Sequence, residues 1–276
     1  MNKLVASEWE RLWKRKVIWL LFAAIPIMVY AAAKYCLHQN TTVTPDLPQY
    51  TVMGNFPVLG LAEMLMTAFN LIVLVIATMV VTDEYRSGQL RMVLIRTYSF
   101  RQIIFAKFFV VVSFIFLYLA AYFIMCYGVG SIVFSNPDTY PQFYSQSDVT
   151  VGEGFFYNLK FYGLAFLTLV AMSSVLFFIA IMSHTTTTTL GIGIGFLFIS
   201  IAYPTVIGLV GQLVSNEIVL KLYFTSIPMV QWQGLTFMLA KSSSLLGWML
   251  LVLGCYIFLF QLLVILGTRR KNDTFI

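Results

Sequence analysis

Charge is what this sequence has least of: Asp, Glu, Lys and Arg make up 10% of its 276 residues, while 60% are hydrophobic. A soluble domain carries about 25% charged residues, so the chain lacks the polar surface that would keep a fold of this size in water. Cysteine is also scarce. Cys36, Cys126 and Cys255 are too few for a disulfide framework and show no metal-ligand spacing. Apolar filler is their expected role, with a bridge between Cys36 and Cys126, both near outer helix ends, as the alternative. The two histidines, His38 and His184, fall on opposite sides of the membrane in the topology below, which excludes a shared metal or proton relay. No Gly-x-x-x-x-Gly-Lys-Ser/Thr run cradles phosphate, and no His-Glu-x-x-His motif occurs. A membrane enzyme has little to build on here, and the chain is expected to hold no cofactor or metal of its own. The formal net charge of +6 could suggest nucleic acid, but it is confined to short membrane-flanking segments, and there is no soluble domain to carry such binding.

What the sequence has in abundance is long apolar runs, with a mean hydropathy of +0.87. Crossing ~30 Å of hydrocarbon takes about 20 helical residues, and six stretches suffice: about 17–36, 57–82, 103–127, 158–183, 189–211 and 245–267. The expected fold is an all-α polytopic membrane protein with six transmembrane helices in a single transmembrane domain spanning 1–276. Residues 1–16 read as an interfacial amphipathic helix, with Leu4, Val5, Trp9, Leu12 and Trp13 at helical spacing and Lys3, Arg11, Lys14 and Arg15 off that stripe. Lys14-Arg15-Lys16 before an apolar run, with Ala31-Ala32-Ala33 beyond, could also mark a cleaved signal. Glu8, Glu10, Trp9 and Trp13 are odd for such a segment, so retention as the first span is expected.

Residues 212–244 hold Glu217, Lys221, Pro228 and Trp232 among short apolar runs. They are expected to form one or two short helices dipping into the outer leaflet, with a seventh span as the alternative. In the six-span arrangement, thirteen of the 17 Lys and Arg fall on one side: before helix one, between helices two and three or at the start of three, and in the tail 268–276. The positive-inside rule then places both termini in the cytoplasm. A seventh span would break that count.

Asp83 to Lys107 is the one sizeable charged island between two spans. Leu90, Val93 and Leu94 make an apolar stripe, with Arg86, Arg91 and Arg96 elsewhere. The pattern predicts a helix lying along the cytoplasmic face over 83–101, leaving helix two near Asp83–Glu84. Acidic residues at its start and arginines further along suit its dipole, and Ser99 is placed to cap the helix that follows.

This stretch resembles the ABC type-2 exporter permeases, whose loop between helices two and three reads Glu-x-x-x-Gly-Thr-Leu-basic-x-Leu-Leu-Ser-x-Pro-x-Ser-Arg, with a Lys some seven residues on. Glu84, Gly88, Leu90, Arg91, Leu94, Ser99 and Lys107 match; Gln89 stands for Thr, Thr97 for Pro, and Arg101 is shifted by one. The resemblance implies that the segment is a cytoplasmic coupling helix whose Glu84, Tyr85, Arg86, Gly88, Leu90, Arg91 and Leu94 dock into an ATPase subunit. It further implies two copies of that ATPase, which bind the ATP and Mg, a second permease chain, identical or homologous, and a bacterial plasma-membrane setting. Drugs, antimicrobial peptides, lipids, polysaccharide and sodium are all exported by relatives of this architecture; a hydrophobic drug or peptide is the expected substrate here.

Glu63, near the outer end of helix two, is the one carboxylate expected inside a span, and intramembrane acids are functional candidates by default. Asn70, deeper on the same helix, is expected to join it in a substrate or ion path through interhelical hydrogen bonds. Gly191-x-x-x-Gly195 permits close helix approach, expected within the chain, with a dimer contact as the alternative. Asn40-Thr41-Thr42 matches a glycosylation acceptor, without meaning in a bacterium. The competing function is a secondary transporter or channel with no ATPase, against which stand the lack of an apparent inverted repeat and the scarcity of ionisable residues within spans.

Overall fold

In a computed structural model, residues 2–87, 99–144, 148–183, 185–210, 216–240 and 245–275 are described. Among them, six helical stretches are long and apolar enough to cross a membrane: Lys16–Gln39, Phe56–Thr82, Arg101–Val133, Val151–Ser183, Thr186–Gly208 and Leu246–Gly267. The chain is an all-α polytopic membrane protein. In chain order the helices are α1 (Asn2–Trp13), α2 (Lys16–Gln39), α3 (Phe56–Met64), α4 (Asn70–Ser87), α5 (Phe100–Val133), α6 (Val151–Ser183), α7 (Thr186–Val210), α8 (Asn216–Tyr223), α9 (Ile227–Met229), α10 (Leu235–Met238) and α11 (Leu246–Phe275). A π-helical turn, Leu65–Phe69, joins α3 to α4 within the second span, and another, Val230–Gly234, joins α9 to α10.

The spans are layered by burial. The second, third and fourth form the centre, 61%, 56% and 67% buried, whereas the first, fifth and sixth are 28%, 17% and 22% buried and turn large apolar side chains outward. α6 is the hub, packing on both α4 and α11. Apolar outward faces are what a lipid-solvated bundle needs; close packing, rather than water exclusion, then holds the centre together. Aromatic rings do much of this filling, with Phe69 edge-on to both Tyr118 and Tyr122.

α5 and α6 extend beyond the expected boundaries, to Val133 and back to Val151. At 34 residues α5 is about 50 Å long, well over the ~30 Å of hydrocarbon. Their extra turns carry Gly128, Gly130, Ser131, Gly152, Glu153 and Gly154, which hide a helix from hydropathy. Between them Thr139–Tyr140 pairs antiparallel with Val149–Thr150. Tyr140 is buried, with its ring against Gly54 and Gly154, where a β-carbon would overlap it. Both positions are therefore reserved for glycine by the close approach, and burial pushes the Tyr140 hydroxyl up to about 12. The segment 216–240 consists of short helices.

Candidate functional site

The charged island meets the rest of the bundle at the end that carries α1. α1 buries Leu4 and Leu12 and stacks Trp9 and Trp13 edge to face, at 5.7 Å between ring centroids. On its buried side lies Glu8, only 7% exposed, whose Oε2 accepts a hydrogen bond from Lys107 Nζ at 2.9 Å; Lys107 is 3% exposed. Lys107 Nζ also donates to the carbonyl of Val80 at 3.0 Å, and Arg15, between α1 and α2, donates to the carbonyl of Met79 at 2.9 Å. Arg11 closes on the same Glu8 carboxylate at 3.4 Å. Two cations thus grip the neighbouring carbonyls of Met79 and Val80, near the end of the second span. One buried ion pair then ties that grip to α1. Buried pairs contribute little net stability, but removing one partner strands the other charge at a cost of about 3–5 kcal/mol. The clasp therefore fixes α1, the second span and the third as one body. On the exposed side of α1, Lys14 holds the Glu10 carboxyl below its usual range through a hydrogen bond and direct attraction.

The expected coupling segment starts from this clasp. The helix does not leave its course at Asp83–Glu84; α4 stays helical through Ser87, so the backbone of Glu84, Tyr85 and Arg86 continues the second span. The hydrophobic signal that set the expected boundary stops at Thr82, whereas a helix once formed propagates through residues such as Glu84 and Arg86 without needing apolar side chains. Gly88, Leu90, Arg91 and Leu94 lie outside the described residues, as does His184. Ser99 caps α5: its hydroxyl accepts from the Gln102 amide at 3.4 Å, and the Gln102 side chain accepts from the Ser99 amide at 3.0 Å, a capping box.

Deeper in the bundle, Glu63 and Asn70 part company. Glu63 is exposed on the outside of the second span, whereas Asn70 is fully buried. The Asn70 amide donates to Gln231 Oε1 at 2.6 Å and accepts from Gln231 Nε2 at 3.1 Å; Gln231 Nε2 also reaches the Thr168 hydroxyl at 3.3 Å. Asn70 donates as well to the Met66 carbonyl at 2.9 Å. The expected union of Asn70 with Glu63 is therefore replaced by a closed amide pair. Its cause is local: the π turn Leu65–Phe69 shifts the helical register between the two residues, and Gln231 sits in the facing π turn. Satisfied on every side, this pair is a lock between the second span, the fourth and the 227–238 hairpin rather than an open path.

One smaller expectation also changes. Gly193, not Gly191 or Gly195, makes the close approach, against Leu74; the other two face outward with nothing within 4 Å of where a β-carbon would stand. The close approach within the chain that was expected of Gly191 and Gly195 is therefore not made, because Gly193 lies on the opposite face of α7. Cys36 and Cys126 are both buried and both free.

Sequence reading did not foresee the partners that matter most. Glu8 was visible as an acid out of place in a basic segment, but nothing pointed to Lys107 as its partner. Gln231 and Thr168 carried no signal at all, because uncharged polar residues are unremarkable in a membrane helix until their partners are known.

The match to known proteins comes from a family model described as ABC-2 family transporter protein, which aligns with residues 4–202. That range takes in α1, the clasp, the charged island and the first four spans whole. No curated protein matches.

Proposed function

The chain belongs to the ABC-2 family of transporter proteins, and we propose that it is the permease subunit of an ATP-driven exporter whose ATPase is a separate chain. Membership implies a membrane permease component, an ABC ATPase partner and, typically, a dimeric assembly. The finer reading runs as follows. Two permease chains face each other in the plasma membrane of a bacterium, both termini cytoplasmic, and each engages one of two ATPase copies through the 84–101 segment. ATP and Mg are bound by the ATPase alone. Closure of the ATPase pair pushes on that segment, and the second and third spans tilt and open a path outward for a hydrophobic or amphipathic substrate, a drug or antimicrobial peptide foremost. Rigid-body alternation of this kind needs no catalytic side chain in the permease. Glu63, exposed on the second span, remains the residue proposed to meet substrate or a coupling ion; Asn70 is assigned to holding that span instead.

The observation that carries this reading is the clasp. A push on a loop moves a helix only if the loop's base is stiff, and Glu8, Arg15 and Lys107 stiffen the base of both spans that flank the segment. The test is co-purification from a membrane extract with the ATPase co-expressed, followed by reconstitution into vesicles. Stable retention of the ATPase and ATP-dependent substrate movement support the reading. Transport driven by an ion gradient in a preparation free of ATPase would hand the case to a secondary transporter.

A further inference from the structure

A groove of about 1010 Å³ runs between α1 and the first turns of α5, with Val5, Ala6 and Trp9 on one wall and Phe105, Phe109 and Val112 on the other. A second hollow of about 500 Å³ shares Val5, Trp9, Phe109 and Val112 with it and carries the apolar floor on to Phe116 and Phe166. From Arg101 to Phe116 the trough follows α5 for about 22 Å at ~1.5 Å per residue, a little more than the ~15 Å hydrocarbon depth of one leaflet. The mouth is polar: Ser99, Arg101 and Gln102 stand there. Arg101 Nε is buried yet meets no hydrogen-bond partner among the described residues. The carboxylates of α1 are already engaged, Glu8 by Lys107 and Arg11 and Glu10 by Lys14. A buried guanidinium nitrogen without an acceptor is costly, and here it heads an acyl-length apolar trough.

We propose that this groove holds one anionic phospholipid, its phosphate on Arg101 and an acyl chain laid over Trp9 and Phe109. The lipid comes from the leaflet that meets α1. Both ends of the site ask for the same molecule. The planar guanidinium fork matches phosphate geometry, and the trough beyond it carries no charged side chain for an amphiphile with a second charged end: its one polar side chain, Ser113, donates its hydroxyl to the Phe109 carbonyl. Ser99 and Arg101 close the 84–101 segment proposed to meet the ATPase, but the lipid site is argued from the groove alone, so it stands whether or not the exporter reading does.

Trp9 supplies the readout. In a variant keeping only this tryptophan, with Trp13, Trp19, Trp232 and Trp248 changed to Phe, fluorescence is measured in vesicles containing dibromo-phosphatidylglycerol or dibromo-phosphatidylcholine. Half-quenching is expected at about fivefold lower mole fraction of the anionic lipid, the size of one cation's attraction to a negative surface. Arg101→Lys should keep most of that preference and Arg101→Gln should bring the ratio to about one. A chain retaining only Trp232, whose ring is exposed and not part of the groove, should show no preference. Equal quenching of Trp9 by both lipids would reduce the groove to ordinary boundary lipid, a conclusion available even if Arg101→Gln failed to fold. A preference that survives in Arg101→Gln would place the anion elsewhere. Quenching by neither lipid would mean that protein, the ATPase or residues 83–98, covers the groove, and would equally end the proposal.

Discussion

Lys107 Nζ and Glu8 Oε2 lie 2.9 Å apart with both side chains buried, joining residues 99 positions apart in the chain. Neither charge has water to fall back on, so the pair is asymmetric in its consequences: intact it is close to neutral, half-removed it is expensive. Lys107→Met should lower stability by at most about 3–5 kcal/mol, because it leaves Glu8 buried with only Arg11, at 3.4 Å, to offset its charge. The double variant Glu8→Gln with Lys107→Met should recover at least half of that loss. Thermal unfolding in detergent, followed by loss of monodisperse protein, measures both; equal loss in the single and double variants would show that the pair is not coupled.

The amide lock predicts a similar pattern on a smaller scale. Asn70→Leu leaves Gln231 buried without its partner, at a cost of about 1–2 kcal/mol in a membrane interior. Adding Gln231→Leu should return most of it. Melting temperatures of the two single variants and the double give the coupling directly, and strictly additive losses would refute the lock.

Glu63 should behave in the opposite way. It is exposed and outside that network, so Glu63→Gln should leave the melting temperature within error while changing the transport rate. Unaltered export in a well-folded variant would return Glu63 to the role of an interfacial anchor.

These contrasts mark where the sequence was legible. Six spans could be read because hydrophobic length is a bulk property, and the charged island because Arg86, Arg91, Arg96, Arg101 and Lys107 fall together between two apolar runs. The long extensions of α5 and α6 were hidden by the glycines in them, Gly128, Gly130, Gly152 and Gly154, and by the charge of Glu153. Asn70 was singled out correctly as a polar residue needing partners, yet it was assigned to Glu63, because a regular helix offers no hint that a π turn will rotate one away from the other. Gly193 was passed over for the Gly191–Gly195 pair because spacing identifies a face of small residues and not which face the neighbour meets. Lys107 matched a family pattern by position alone; its bond to Glu8 depends on a fold that brings α1 beneath the third span.

Topology can be tested apart from function. With Cys36, Cys126 and Cys255 replaced, single cysteines at Asp46 and Thr187, both exposed, should respond differently to an impermeant thiol reagent on intact cells. Labelling is expected at Asp46→Cys and not at Thr187→Cys; the reverse pattern would invert the proposed orientation.

The central claim is that the segment after the second span is where an ATPase drives this permease. Glu84 and Gly88 are four positions apart in the sequence, the spacing of one turn if a helix runs through both. Glu84 could accept charge-assisted hydrogen bonds worth about 1.5–3 kcal/mol each, and Gly88 leaves room for a backbone to approach. The decisive measurement is the amount of ATPase retained per permease, with ATP-dependent transport, for Glu84→Ala and Gly88→Leu beside the unaltered chain. Weakened retention in the first and near-complete loss in the second, with normal expression and membrane insertion of both, is the predicted result. Full retention and normal transport in both variants would contradict the account.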